Sequence, residues 1–443
     1  MSLVGTEETS KLTIGLSFSV SLFFNSLGRD MTIWGEDQEK GQATPSEVTQ
    51  FVTADGRNEY GKITQIDVGN VHTLFLSLTG NVYFCGGLKD GDSFMASPPD
   101  PHFVRRGEPP EEPPYDKDNY VKQPDTYGIA KTRATPIHVK ALKNIIAVFS
   151  GGSFCAALDR DRQLWTFGFG NSGELARSPG MVAPKDDGSY NLQPEAYKNK
   201  KADSYGWFNM KLIHDKFITP HPVQFQMPGK KRVMNVACGD IHMLVAAADA
   251  GSDLVRLYSA GHNNYGQLGV GDQKGRHVLT LVPFFDEKRI VGQIAAGNFS
   301  SYALTAVGDA LYSWGRSDQG QCGIMDTDSS SYGGFFVTPQ RVPLPHGKVF
   351  KSVTSGESAG FVLSMDDELY SWGFEGVTGH GGKYLTEDCP TPRKINIPGV
   401  SRIHAVDGGS QHGILLATVD VSGYTTDEED NDAKPQTKKQ RRA

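Results

Sequence analysis

Residues Arg289 to Gly323 read RIVGQIAAGNFSSYALTAVGDALYSWGRSDQGQCG. Two short apolar runs, Tyr302 to Leu304 and Leu311 to Trp314, flank a turn at Val307-Gly308-Asp309. Trp314-Gly315 then opens a loop of the form GxxxxGQxG. Aromatic and β-branched residues between Gly/Asp turns predict an antiparallel hairpin. One hairpin cannot bury its apolar face alone. The rest of the chain supplies the missing partners by repeating the pattern.

Copies begin at Gly15, Gly69, Gly151, Gly239, Gly297, Gly356 and Gly408. They close on Trp34-Gly35, Cys85-Gly86, Phe167-Gly168, Ala260-Gly261, Trp314-Gly315 and Trp372-Gly373. Four intervals are 54, 58, 59 and 52 residues (15 to 69, 239 to 297, 297 to 356, 356 to 408); two, at 82 and 88, hold inserted loops. A period of roughly 50 with several short strands per copy indicates a propeller blade of four strands. The last copy, VSRIHAVDGGSQHGILLATVD, lacks a closing aromatic-Gly pair. The expected fold is therefore an all-β propeller of seven blades whose last blade is shared between the chain ends, with Leu3-Val4 as a candidate strand. A six-bladed ring closed by Asp30 to Trp34 is the alternative.

The 443 residues include 51 Gly and 24 Pro, a composition suited to one all-β repeat domain. A formal charge of −7 gives no general argument for nucleic acid. The five cysteines (Cys85, Cys155, Cys238, Cys322, Cys389) are scattered without a CxxC pair, against a disulfide framework or zinc site and in favour of a reducing compartment. Leu12 to Phe24 is apolar like a secretory signal core. Glu7 and Glu8 precede it where a signal would be basic, and it is too short to span a bilayer. It reads instead as blade strand, and no membrane partner is expected.

The chain divides into an N-terminal segment 1–11, a propeller over 12–424 and a tail over 425–443. The propeller carries insertions at 87–136 and 176–231. The first insertion is rich in Pro and acidic residues and cannot bury enough to fold alone. The tail is acidic at Asp427 to Asp430, then basic at Lys434, Lys438, Lys439, Arg441 and Arg442. The basic part is a candidate nuclear import signal read by an import receptor.

No GxxxxGK[ST], HExxH or GxSxG motif occurs. His72, His242 and His412 recur at one repeat phase, which predicts a structural hydrogen-bonding role rather than catalysis. The turn pair Asp366-Asp367 has the same explanation. Neither a catalytic residue nor a metal or cofactor is expected. A rigid disc with loops on two faces suits protein binding.

The repeat GNVHTLFLSLTGNVYFCG, with the GHNNYGQLG and WGRSDQGQCG loops, resembles the regulator of chromosome condensation family over about residues 12 to 418. The sixth-blade stretch Ser355 to Phe361, followed by LYSWG, also matches it. The resemblance implies a seven-bladed propeller, monomeric and nuclear. It further implies exchange of guanine nucleotide on the small GTPase Ran without covalent chemistry, and docking on chromatin through histones and DNA. It marks Leu88, Lys89, Asp90, Gly91 and Asp92 as a wedge against the GTPase's phosphate loop. Asn70, Ser153, Arg177 and Arg316 become candidate GTPase contacts. Glu174 to Arg177 and the insertion through Lys185 match the long third-blade loop, with Lys185, beside Asp186 and Asp187, as a chromatin contact. Where the family sets acidic or histidine residues against Ran, this chain has Asn70, Ser153 and Phe299-Ser300, and MSLVGTEETSK is not a basic arm. A non-catalytic propeller that binds another protein as scaffold or inhibitor is the competing class. The repeated Gly-Trp-Arg-His run of the plant UV-B receptor is absent.

Overall fold

The computed structural model describes residues 61–86 (except 71), 133–177 (except 169 and 171), 220–325 (except 287–288) and 334–419 (except 381–386 and 410–412), with the backbone of four strands between 16 and 47. These residues form seven sheets in chain order, six of four strands and the last of two. Each is an antiparallel meander. The stretch Arg289 to Gly323 yields Val291–Ala296, Ser300–Thr305 and Leu311–Arg316. Phe335–Arg341 then adds the outer strand of this fifth sheet. The turn between its second and third strands has Gly308 at φ 74°, as the Val-Gly-Asp sequence predicts. The fold is the expected β-propeller.

Leu12 to Phe24 supplies two strands rather than one, Leu16–Ser17 and Val20–Phe24. Met31–Trp34 pairs within that same first sheet, next to Ser46–Glu47, and so is a third strand of its own blade. The seventh sheet holds Val400–Gly408 and Gly413–Val419. Leu3-Val4 and the ring closure it would make lie outside the described residues, as do His412 and the tail.

Both insertions are shorter than the sequence suggests. Arg133–His138 pairs with Tyr83, Phe84 and Gly86 as the outer strand of the second sheet. Its run of Thr, Pro and Lys neighbours hid it, because an edge strand tolerates Pro136. His221–Pro222 likewise edges the third sheet against Trp165 and Thr166, and Lys231 already begins the fourth.

The second strand of the second to sixth sheets is buried on both faces: His72–Ser77, Phe154–Asp159, His242–Asp249, Ser300–Thr305 and Ala359–Ser364. Apolar clusters therefore lie between sheets. Leu74, Leu76, Val82 and Phe84 of the second sheet meet Val148, Cys155, Ala157 and Phe167 of the third. Tyr302 and Leu311 of the fifth meet Val362, Tyr370 and Trp372 of the sixth.

Polar latches fix these contacts. Trp314 Nε1 donates to Gln267 O across the fourth and fifth sheets at 2.9 Å, and Trp372 Nε1 to Gln321 O across the next pair at 2.8 Å. Ser301 Oγ and Tyr302 OH donate to the same two carbonyls, at 2.7 and 2.6 Å. The GxxxxGQxG loop is thus a socket for the next blade's indole. A Cβ at Gly269 would lie 2.7 Å from Trp314 Nε1.

The first strands converge on a central channel, and their terminal glycines touch. A Cβ at Gly297 would lie 2.7 Å from Gly356 O. Gly69 faces Gly151 O, Gly239 faces Gly297 O, and Gly356 faces Gly409 O, each still more closely. The register Gly408↔Gly413 puts Gly409, rather than Gly408, in phase with the others. Adding a side chain here forces blades apart, at a cost of about 1–3 kcal/mol. Gly239→Ala should accordingly lower the urea midpoint clearly. Gly334→Ala, whose Cβ meets nothing nearer than 3.7 Å, should leave it unchanged; equal midpoints for the two variants would contradict this account.

Candidate partner-binding face

Strand direction decides which residues share a face. Every first strand runs toward the channel mouth and every third strand returns there: His72 pairs with Gly86, His242 with Gly261 and Ser300 with Gly315. Third strands therefore end on the mouth face, the one that closes on Gly86 among them.

Backbone bonds pass from blade to blade around that mouth. Asn70 N donates to Gly152 O (3.1 Å), Gly152 N to Asp240 O (2.9 Å), Asn298 N to Glu357 O (3.1 Å) and Glu357 N to Gly409 O (3.1 Å). Side chains trace the same circle. Asn70 Nδ2 donates to Asp240 Oδ1 at 2.9 Å, and Asn298 Nδ2 to Glu357 Oε1 at 2.8 Å. The first of these bonds skips a blade because Gly152 has no side chain there; a Cβ would overlap the Asp240 carboxylate.

Below the mouth the channel holds a cavity of about 370 Å³. Gln65 clips two inner strands together, donating to Val148 O (2.7 Å) and accepting from Val148 N (3.0 Å); Gln293 donates to Lys351 O at 2.6 Å in the same way. Asp67 Oδ1 accepts from Ser150 N at 2.9 Å, and Asp407 Oδ1 from Thr354 Oγ1 at 2.9 Å. Loss of hydration inside the channel, then the charge of Asp407, pushes the Asp67 carboxyl up to about 7. Desolvation raises Asp407 to about 6, although its side chain stays wetted along the channel.

Asn70 is exposed at the mouth, and Ser153 is half-buried in the neighbouring turn. Arg177 is a correction. It is only 5% exposed, its Nε lies 3.3 Å from Thr166 Oγ1, and burial lowers its guanidinium to about 10. It braces the third blade rather than facing a partner. Arg316 is half-exposed, bound to Asp318 through Nε and Nη2 at 2.7 Å each, with Tyr265's ring centroid 5.5 Å away. Phe299 packs on Tyr265 at 5.1 Å, and Ser300 is buried against Tyr302. His72 and His242 are buried, their imidazoles lowered to about 3 by desolvation. His242 Nε2 meets Ser301 Oγ at 2.9 Å, the hydrogen-bonding role expected, whereas neither ring nitrogen of His72 has a hydrogen-bond partner among the described residues and its ring stacks on Phe84 at 5.6 Å. Leu88 to Asp92, Lys185 and the basic residues from Lys434 to Arg442 lie outside the described residues. Among the described residues no group of three or more His, Cys, Asp or Glu side chains is arranged to hold a metal.

One recurrent feature escaped sequence reading. In the third to sixth sheets the residue two before the closing glycine is a small hydroxyl that ties down the loop after its strand. Thr166 donates to Leu175 O, Ser259 to Leu268 O, Ser313 to Cys322 O and Ser371 to Thr378 O, at 2.5–2.8 Å. The second sheet has Phe84 at this position, which has no hydroxyl to tie down the segment after Gly86.

The sequence matches the RCC1-like domain family over residues 23–415. The chain belongs to that family. Among curated relatives, the Ultraviolet-B receptor UVR8 of Arabidopsis thaliana is 27% identical over 297 residues, covering 62% of this chain and 63% of the receptor. The chain thus spans less than two thirds of that relative. The Regulator of chromosome condensation of Xenopus laevis is 22% identical over 396 residues, covering 88% and 74%. Guanine nucleotide exchange factor SRM1 of Saccharomyces cerevisiae is 25% identical over 366 residues, covering 69% and 72%. The solved structure of Prp20p from Saccharomyces cerevisiae, described with its binding to Gsp1p and histones, superposes with a TM-score of 0.65 at 19% identity, covering 92% of this chain and 83% of that one. Human WBSCR16 gives 0.62 at 17%, covering 93% and 88%. These likenesses establish the RCC1-like propeller fold.

The channel acids make stability depend on pH. A carboxyl whose folded pKa is raised binds its proton more tightly when folded, so stability is lost as pH rises from about 4 through the folded values of about 6 and 7. The buried His72 and His242, lowered from 6.5 to about 3, act in the opposite sense over the same window, so the test is a difference between variant and native chain. Asp67→Asn, which keeps an acceptor for Ser150 N, should gain unfolding midpoint relative to the native chain as pH rises from about 4 to 7. A constant offset between the two across that window would refute Asp67 as a source of pH dependence.

Proposed function

We propose that this chain is a guanine-nucleotide exchange factor that promotes GDP release from the small GTPase Ran, acting in the nucleus on chromatin. The observation that carries this reading is the end of the second sheet's third strand at Gly86, paired with His72 on the mouth face, directly before the wedge sequence Leu88-Lys89-Asp90-Gly91-Asp92. Membership of a family that includes SRM1 supports it.

The mechanism needs no covalent step. A factor that binds nucleotide-free GTPase more tightly than the loaded form must weaken nucleotide binding by the same ratio. The GTPase holds its phosphates with backbone N–H groups, a lysine and Mg²⁺. Asp90 and Asp92 would disturb that cradle by repelling phosphate or engaging the lysine. Both directions of exchange accelerate equally, so the GTP excess sets the outcome.

The buried Arg177 and the Asp318-bound Arg316 favour the second reading, a non-catalytic propeller that binds a protein partner without releasing nucleotide. A fluorescent-GDP release assay on a panel of Ran, Rab and Rho GTPases separates the two. Under the first reading, changing Asp90 and Asp92 together to Ala slows release from Ran about tenfold or more, each tenfold being about 1.4 kcal/mol of barrier. Fold stability stays within about 0.5 kcal/mol, and Asp253→Ala, an exposed change on the opposite face, leaves release untouched. Wild-type rates in the Asp90/Asp92 variant would remove the wedge. Deleting residues 434–443 should reduce nuclear accumulation in cells with the melting temperature unchanged; unaltered distribution would remove the import signal.

A further inference from the structure

Between the fifth and sixth sheets the mouth face opens into a second cavity, about 250 Å³, walled by Phe299, Arg316, Gln321, Glu357 and Phe374. Its frame is fixed by backbone bonds: Arg316 N to Phe299 O at 2.9 Å, Phe374 N to Ser358 O at 2.9 Å and Asn298 N to Glu357 O at 3.1 Å. Arg316 brings the one guanidinium of these walls, and Asp318 holds it through Nε and Nη2 while also accepting from Gln321 Nε2 at 3.2 Å. Glu357 is oriented by Asn298. Beside Phe374, Glu375 N donates to Asp388 Oδ1 at 3.0 Å; burial, then repulsion by Glu375 and Asp318, raises the Asp388 carboxyl. Asp318 and Glu357 thus act on the Arg316 guanidinium, Asp388 lies within reach of the charges of Asp318 and Glu375, and the Phe299 and Phe374 rings in the cavity wall are half-buried.

We propose that this cavity receives an arginine side chain of a protein partner. A guanidinium is weakly hydrated, stacks on aromatic faces and pairs with carboxylates, so Phe299 and Phe374 with Glu357 make a matched seat. The polarity is the reverse of the one suggested by Arg177 and Arg316, which would have called for an acidic partner. The seat stands on this chain's own residues, and only the partner's identity rests on the exchange-factor reading.

The test uses the full chain labelled with 4-fluorophenylalanine, the Phe299 and Phe374 resonances being assigned by Phe299→Leu and Phe374→Leu. N-acetyl-arginine amide should shift both resonances, the lysine amide less, and the glutamate amide neither. Glu357→Gln should weaken the arginine response roughly tenfold, about 1.4 kcal/mol. Unmoved resonances, an equal response to the glutamate amide, or an unchanged response in Glu357→Gln would overturn the proposal. In the Ran release assay, Glu357→Lys should raise the half-saturating GTPase concentration about tenfold; an unchanged value would also overturn it. A chain that seats arginine amide yet releases nucleotide from no GTPase in the panel would uphold the seat and end the exchange-factor reading instead.

Discussion

Neighbouring blades meet at a point where no side chain fits. Gly69, Gly239, Gly297 and Gly356 bring inner strands together so closely that each missing Cβ is a condition of the contact between blades. That contact allows the backbone of one mouth turn to bond with the next. It also sets the radius of the channel, and through it the distance at which Asp67 and Asp407 influence each other. Interiors pack too densely for such a ring to expand locally. The mouth is therefore a rigid template on which longer loops can vary.

The outer part of each blade is fixed by a different device. An indole of one blade is seated on the carbonyl of a buried glutamine in the preceding blade, the phenol of Tyr302 donates to Gln321 O of its own blade, and the hydroxyl one residue before the indole pins its own blade's loop. Packing and hydrogen bonding thus act on the same few residues, so each blade orders the next. In the second blade Phe84 stands where the third to sixth blades have the hydroxyl, in the strand that ends at Gly86.

The repeat was legible because its signals are local: a Gly-bounded apolar run, a turn and an aromatic-Gly pair. Trp314-Gly315 and Gly308 alone fix a strand end and a turn. Outer strands were not legible, since Arg133–His138 and His221–Pro222 lie at sheet edges and need neither alternation nor strong β formers. Arg177 was misread for a related reason. Its charge suggests exposure, but the preceding Gly-Glu-Leu-Ala turn folds inward, and Ala176 at φ 51° directs the chain back under Thr166. The phase of the last blade slipped by one because two glycines, Gly408 and Gly409, adjoin, and only strand pairing chooses between them. That slip also hid the equivalence of Asp67 and Asp407, which stand at the same place in their blades.

The charge of the mouth bears on what the face can do. Formal counting assigns the channel region four carboxylates, Asp67, Asp240, Glu357 and Asp407. The two inside hold their protons up to about pH 7 and 6, so near neutrality they contribute less than their full charge. The negative potential is thus concentrated at the rim, on Asp240 and Glu357, each oriented by an asparagine from another blade. At physiological ionic strength such a field decays within about 8 Å. It cannot steer a distant partner strongly, but it discriminates at contact, where like charge is repelled and a basic side chain is drawn in. Selectivity on this face therefore comes from the few ångströms between the rigid rim and whatever the neighbouring loops bring against it.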